Sequence, residues 1–281
     1  MTIGVRNVRV GFGDTIALDD VTVAVPARSV VAVVGGDGAG KSTLLRVLAR
    51  EIAVTSGDVT APGKSEIGYL PAGPGSWGAL SVRQNLDFVA GIHGLDRAAT
   101  AQRREEMIDR AGLRTAADRP ASALSGGMRR KLGAAMAMIH RPQLLLLDEP
   151  STGVDPVSRI DLWRLISECA AAGTAVLMST TYLDEAERAA HLVVLERGSV
   201  LTAGSFDDVR SRFAGTITVS EHPVRPEWSW RRGRQRHEYW PAGKVPDGIP
   251  PDGTAAIQPD LEDIVIALSL EHERAQQRVG R

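Results

Sequence analysis

The chain has 281 residues, a formal net charge of −1, 43% hydrophobic and 24% charged residues, and one cysteine, Cys169. This balance predicts a folded protein larger than one typical domain and excludes a global electrostatic pull toward nucleic acid or anionic membrane. A single thiol excludes an internal disulfide framework and fits a reducing cytosol. No apolar run approaches the ~20 residues a membrane span needs, so any membrane role is expected to come through another chain.

Residues 1–30 alternate in the β manner, with Val5, Val8 and Val10 followed by Val21, Val23 and Val25. They predict a small antiparallel sheet, with Phe12 at its first turn, where an aromatic face would stack on a base or pack locally. Val30–Val34 reads as a buried parallel strand. Gly35-Gly36-Asp37-Gly38-Ala39-Gly40-Lys41-Ser42-Thr43 then fills every fixed position of the phosphate-binding pattern G-x-x-x-x-G-K-[ST], and a helix is expected over Lys41–Arg50. Strand, glycine turn and helix form the context this motif requires. Inward-turned N–H groups and a helix N-terminus would cradle phosphate, Lys41 would bridge the β- and γ-phosphates, and the Ser42 hydroxyl would hold Mg²⁺.

Ser56-Gly57-Asp58 reads as a turn, Ile67–Leu70 as a short strand, and the Pro71–Gly78 stretch as a flexible connector. Ser81-x-x-Gln84 is a capping-box signature opening a helix, and a charge-rich helix follows from about Arg97 to Ala111. Residues 73 to about 125 therefore read as a helical insertion in an α/β core. Ser125-Gly126-Gly127-Met128 opens a further helix reaching about Ile139. Leu144–Leu147 is a buried strand ending in Asp148-Glu149-Pro150, an acidic pair where an open α/β sheet presents its ligand groups. Asp155 caps the next helix, with Pro156 at its first position. Ala175–Met178 reads as a strand, Tyr182–Ala190 as a helix, and Leu192–Ala203 as a hairpin turning at Arg197-Gly198.

The remaining residues change character. Trp228, Trp230, Trp240, Tyr239 and four arginines crowd into thirteen positions, Pro241–Pro259 is turn-rich, and Asp260 caps a short amphipathic helix before a polar tail from Glu271. Stacking aromatics beside arginines describe a nucleic-acid platform, but the alternation in Trp228-Ser229-Trp230 fits an exposed hairpin better.

The phosphate loop, Leu124–Met128, Leu144–Glu149 and Ser151–Asp155 fall in one order, and in them the chain closely resembles the ATP-binding subunit of ABC transporters, in the drug- and lipid-exporter branch. The resemblance covers roughly residues 3–205. It implies a P-loop NTPase fold of class α/β: a RecA-like parallel-sheet core, an N-terminal antiparallel β subdomain, and an inserted helical subdomain at about 73–135. The ATP-binding domain would span 1–212, with a small α+β extension over 213–281. It further implies ATP and Mg²⁺ as cofactors, a transmembrane permease on a separate chain, and a head-to-tail pair with a second ATP-binding subunit at the cytoplasmic face of the membrane.

Carried over by position, Asp148 and Ser42 would hold Mg²⁺ and Glu149 would polarise the attacking water, with Lys41 beside it. The loop Gly35–Thr43 and Phe12 would bind the chain's own nucleotide. Ser125, Gly126 and Gly127 would face the partner's γ-phosphate, and Asp155 would link the two sites. Met128 replaces the commoner glutamine of the signature, and Asp37 stands where asparagine is usual. Two departures weigh more: the family's glutamine at the start of the insertion is Ala72 here, and its histidine after the later strand is Thr181. The resemblance thus implies Mg-ATP binding with slow turnover at the chain's own site, and an intact signature edge offered to a neighbour. Trp77 and Phe88 would line the membrane partner's groove or pack the insertion. Soluble relatives acting on ribosomes or DNA carry paired domains or a long coiled-coil insertion, and this chain shows neither.

Overall fold

The computed structural model describes residues 2–73, 75–242 and 255–279. It divides into two compact units, Met1–Val200 and Leu201–Arg281.

The first unit is built on five strands of a six-stranded sheet in the order β5-β6-β7-β3-β8-β9, whose last strand runs on past Val200. The sheet's strands are β3 (Val30–Val34), β5 (Ile67–Leu70), β6 (Leu144–Asp148), β7 (Ala175–Thr180), β8 (His191–Glu196) and β9 (Ser199–Gly204). The pairs β3–β7, β3–β8, β5–β6 and β6–β7 are all parallel. Every residue of β3, β6 and β7 is buried, as expected for uninterrupted apolar strands covered on both faces. A separate antiparallel sheet, β2-β1-β4, joins β1 (Ile3–Phe12), β2 (Thr15–Val25) and β4 (Ser56–Thr60). The fold is that of an α/β P-loop NTPase, with the antiparallel sheet and the helical insertion in the expected places.

The helices follow their capping chemistry. α1 (Lys41–Leu48) starts at Gly40, whose φ of 104° suits glycine, and a Cβ there would come within 2.6 Å of the Ala17 carbonyl oxygen. α2 (Val82–Ile92) begins with the capping box between Ser81 and Gln84. α3 (Arg97–Arg110) is capped by Asp96, α4 (Gly126–Met138) by Ser125, and α5 (Pro156–Ala171) by Asp155 with proline in its first turn. α6 is short, Leu183–Ala186, where a helix over Tyr182–Ala190 was expected.

Two further expectations are corrected. Ser56-Gly57-Asp58 is part of strand β4 rather than a turn. Its Asp58 pairs with Arg6, and a Cβ at Gly57 would meet the Asn7 carbonyl oxygen at 2.3 Å, so the glycine serves close strand approach. The final helix, α8 (Leu261–Val279), continues well past Glu271 instead of ending as a short segment before a fraying tail. α7 (Phe206–Arg212) precedes it in the second unit.

That unit has a four-stranded sheet in the order β11-β12-β10-β13, formed by β10 (Thr216–Ser220), β11 (Ser229–Arg232), β12 (Gln235–Trp240) and β13 (Ala255–Ile257). Ile217, Tyr239 and Ala267 form a buried cluster against which Phe213, Trp228, Trp230 and Ile257 pack. Much of the Trp/Arg run is thus the hairpin β11–β12, with Tyr239 and Trp240 buried and Trp228 and Trp230 half-buried. Arg225 lies 3.6 Å over the Trp240 ring and Arg274 4.4 Å over Trp228. The turn-rich stretch Pro241–Pro259 falls largely outside the described residues. No helix of the described residues is long and apolar enough to cross a membrane.

Candidate functional site

A cavity of about 790 Å³ opens where β3, β6 and β7 end. It is lined by Phe12, Thr15, Ile16 and Ala17 from the antiparallel sheet and by the loop Gly36–Thr43. Ala72, Glu149, Thr152 and Thr181 complete the lining. The loop Gly36–Thr43, Glu149, Ala72 and Thr181 therefore share one space. Phe12 is 52% exposed, which leaves its ring open to a ligand.

Lys41 is buried, and its ammonium is engaged from three sides. Nζ donates to the Gly35 carbonyl at 2.7 Å and the Gly36 carbonyl at 3.1 Å, and lies 3.3 Å from Glu149 Oε1. Gly35 itself does not line the cavity. A Cβ there would lie 2.3 Å from the Leu195 carbonyl oxygen, so the loop is seated directly on β8. Ser42 is exposed and lines the cavity, at the first turn of α1.

Asp148 ends β6 and is buried at 2% exposure. The Ser179 hydroxyl donates to its Oδ1 at 2.6 Å while accepting the Glu149 N–H at 2.8 Å. One β7 side chain thereby fixes both members of the acidic pair. Glu149 has φ of +51°, a left-handed conformation that non-glycine residues rarely hold, and Thr152 Oγ1 donates to its Oε2 at 2.9 Å. Thr181 is steadied from below. Thr180 Oγ1 accepts from the Tyr182 N–H and donates to Glu185 Oε2 at 2.9 Å, and burial pushes the Glu185 carboxyl pKa above its usual range.

Ser125, Gly126, Gly127 and Asp155 do not line the cavity. Ser125 and Gly126 are exposed, with the Ser125 hydroxyl accepting the Met128 N–H at 3.2 Å. Gly127 abuts the next motif: a Cβ there would lie 3.2 Å from Ser158 Oγ and 3.3 Å from Asp155 Oδ2. The Ser158 N–H donates to Asp155 at 3.0 Å and holds that carboxyl below the usual carboxylate range. Trp77 and Phe88 stand edge to face with centroids 4.6 Å apart, each roughly half exposed.

Two polar residues at this site escaped the sequence reading. Ser179 sits in an apolar run, and only its β7 register beside Asp148 gives it a role. Arg130, buried on α4, bonds the backbone of the Asp148–Pro150 and Pro71–Gly73 segments. A basic run after a helix start gives no sign of this.

Three comparisons bear on this arrangement. The sequence model of the ABC transporter family matches residues 18–152. The probable multidrug ABC transporter ATP-binding protein YbhF of Escherichia coli K12 is 36% identical over 220 residues; the match covers 75% of this chain but only 38% of YbhF. The daunorubicin resistance ATP-binding protein DrrA3 of Streptomyces coeruleorubidus is 33% identical over 215 residues, covering 73% of this chain and 68% of DrrA3. A solved ATP-binding subunit of an ABC transporter superposes with a TM-score of 0.70 at 28% identity, over 76% of this chain and 93% of that one. With its phosphate loop, acidic pair and signature edge in this fold, the chain belongs to the ABC transporter ATP-binding family.

Proposed function

We propose that the chain is the ATP-binding and ATP-hydrolysing subunit of an ABC exporter, acting through a separate membrane subunit and turning over slowly at its own site. The observation that carries this is the single cavity shared by the phosphate loop, Glu149 and the uncommitted positions Ala72 and Thr181. Its volume and its lining of backbone amides, a buried lysine and an open aromatic suit a magnesium nucleotide.

For Mg²⁺ the chain offers two hard oxygen donors, the Ser42 hydroxyl exposed in the cavity and the Asp148 carboxylate buried at the end of β6 outside the cavity lining, the sparse set that ion takes beside phosphates. When bound, the ion would neutralise phosphate charge. The chain's own residues do the rest. Lys41 leaves its carbonyl partners for phosphate oxygens, Phe12 stacks on the base, and Glu149 accepts a proton from the attacking water. Ala72 offers no side-chain donor, and Thr181 is short and uncharged, which supports slow chemistry. The exposed Ser125 and Gly126 edge lies outside the chain's own cavity, which supports its use against the nucleotide of a second ATP-binding subunit in a heterodimer. A purely regulatory subunit that binds ATP with little hydrolysis is the second reading, favoured by the same two positions.

The test is phosphate release by the purified chain, alone and mixed with ATP-binding subunits recovered with it from detergent-solubilised membranes. Slow release alone and faster release in the mixture are expected. Release at full rate by the chain alone, with Glu149 required, would overturn the heterodimer reading. Failure to bind ATP would overturn the whole proposal.

A further inference from the structure

The three basic residues that follow the signature edge each reach a different segment. Arg129 bonds the carbonyls of Ala121 and Ser122, and Lys131 pairs with Asp161 on α5. Arg130 does something different. Its Nε donates to the Pro150 carbonyl at 3.2 Å, and its Nη2 donates to the carbonyls of Asp148 and Glu149, the latter at 2.7 Å. Nη1 donates to the carbonyls of Pro71, Ala72 and Gly73, at 2.9 Å and 3.3 Å for the first two. A guanidinium has five N–H donors, so here all are directed at backbone oxygens and none remains for solvent or phosphate.

Its two clients leave adjacent parallel strands, since Leu70 at the end of β5 pairs with Leu147 beside the end of β6. One client contains Ala72 and the other contains Glu149, and both side chains line the same cavity. Glu149 holds the sterically disfavoured φ of +51°. Such a conformation persists only when its surroundings over-determine it. The surroundings here are Ser179 on the Glu149 N–H, and on the Glu149 carbonyl both Arg130 at 2.7 Å and the Thr152 N–H at 3.2 Å, of which only Arg130 also reaches the Pro71–Gly73 segment. Arg130 also lies five residues, about 7.5 Å of helix rise, from Ser125 at the exposed start of α4.

We propose that Arg130 is a positioning residue: it holds Glu149 in its strained backbone conformation and makes the Pro71–Gly73 and Asp148–Pro150 segments respond together to nucleotide. This rests on the nucleotide-binding reading of the cavity. Lysine cannot replace it, because three donors on a single nitrogen cannot span two loops. The pocket-facing part of the insertion and the general base are thus geared together through backbone rather than through a side chain at position 72.

Amide hydrogen exchange on the full chain, with and without ATP and Mg²⁺, tests this. In the unsubstituted chain, nucleotide slows exchange at 36–43 and also at 72–73 and 149–153. In Arg130→Lys, protection at 36–43 persists, while 72–73 and 149–153 exchange about tenfold faster than in the unsubstituted chain and no longer respond to nucleotide. Adding Glu149→Gly, which accepts positive φ without strain, reduces that tenfold effect at 149–153 to about twofold. A nucleotide response at 72–73 that survives Arg130→Lys overturns the proposal. So does faster exchange spread equally into Val30–Val34, or an Arg130→Lys effect untouched by Glu149→Gly. Absence of protection at 36–43 in the unsubstituted chain overturns the nucleotide reading itself, and this inference with it.

Discussion

Lys41 and Glu149 hold one another in the cavity, so an entering phosphate must part them. At 3.3 Å the pair has a gross attraction of ~5 kcal/mol, taking an effective dielectric constant of 20. Most of that is offset by desolvation of two largely buried groups, which leaves a net term of about 1–2 kcal/mol. Glu149→Gln removes this competition and also a negative charge facing the incoming phosphates. Both effects point the same way, so the variant should bind nucleotide about tenfold more tightly, the equivalent of ~1.4 kcal/mol. A fluorescent, non-hydrolysable ATP analogue titrated against both proteins at low ionic strength measures this without interference from turnover. The difference should shrink as salt is raised, because Glu149 retains some solvent contact. Unchanged or weaker binding by Glu149→Gln would show that the ion pair does not oppose the nucleotide.

Ser179→Ala strips a hydrogen bond from a buried carboxylate and orphans the Glu149 N–H, so it should cost about 2–4 kcal/mol of stability, read as a lower urea midpoint with unchanged slope. Thr181→His returns a donor to the cavity wall and should raise steady-state phosphate release by roughly 10-fold or more. His140 is held neutral, its pKa lowered to about 4, chiefly by burial and then by His93 stacked at 3.5 Å. The unfolded chain takes up that proton near pH 6.5 and the folded chain does not, so stability should fall as pH drops from about 6.5 to 4. His140→Leu should flatten this dependence in urea titrations run across the same window.

What the sequence disclosed were features set by neighbours in the chain. Ser81, Gln84 and Asp155 satisfy backbone donors within one turn, Pro156 brings no N–H that needs a partner, and the glycine loop offers its carbonyls to Lys41 a few residues on, so their spacing carries the signal. Gly57 misled because its glycine serves a strand partner some fifty residues away, and turn chemistry looks the same from sequence. The polar stretch after Glu271 looked free to fray. Yet the Tyr239 hydroxyl donates to Glu271 at 3.1 Å, and Arg274 reaches the Glu227 carbonyl. The motif residues stand out in the sequence, and Phe12, Gly36–Thr43 and Glu149 among them line one cavity while Gly35, Asp148, Ser125–Gly127 and Asp155 do not, whereas the groups that hold them in place left no mark in the sequence. Ser179 and Arg130 act on backbone atoms across the sheet, and no local pattern encodes such contacts.

The arginine-covered indoles have a practical corollary for spectroscopy. Trp228, Trp230 and Trp240 belong to the second compact unit, whereas only Trp77 and Trp163 lie in the first. Trp240 is sequestered, with its Nε1–H donated to Thr218 at 2.9 Å. Intrinsic emission from this chain will therefore be weighted toward the unit that lacks the phosphate loop. A melting curve followed at the indole wavelength will report chiefly how the carboxyl-terminal unit comes apart, and Trp77 and Trp163 must be isolated by substitution before light can follow the other unit.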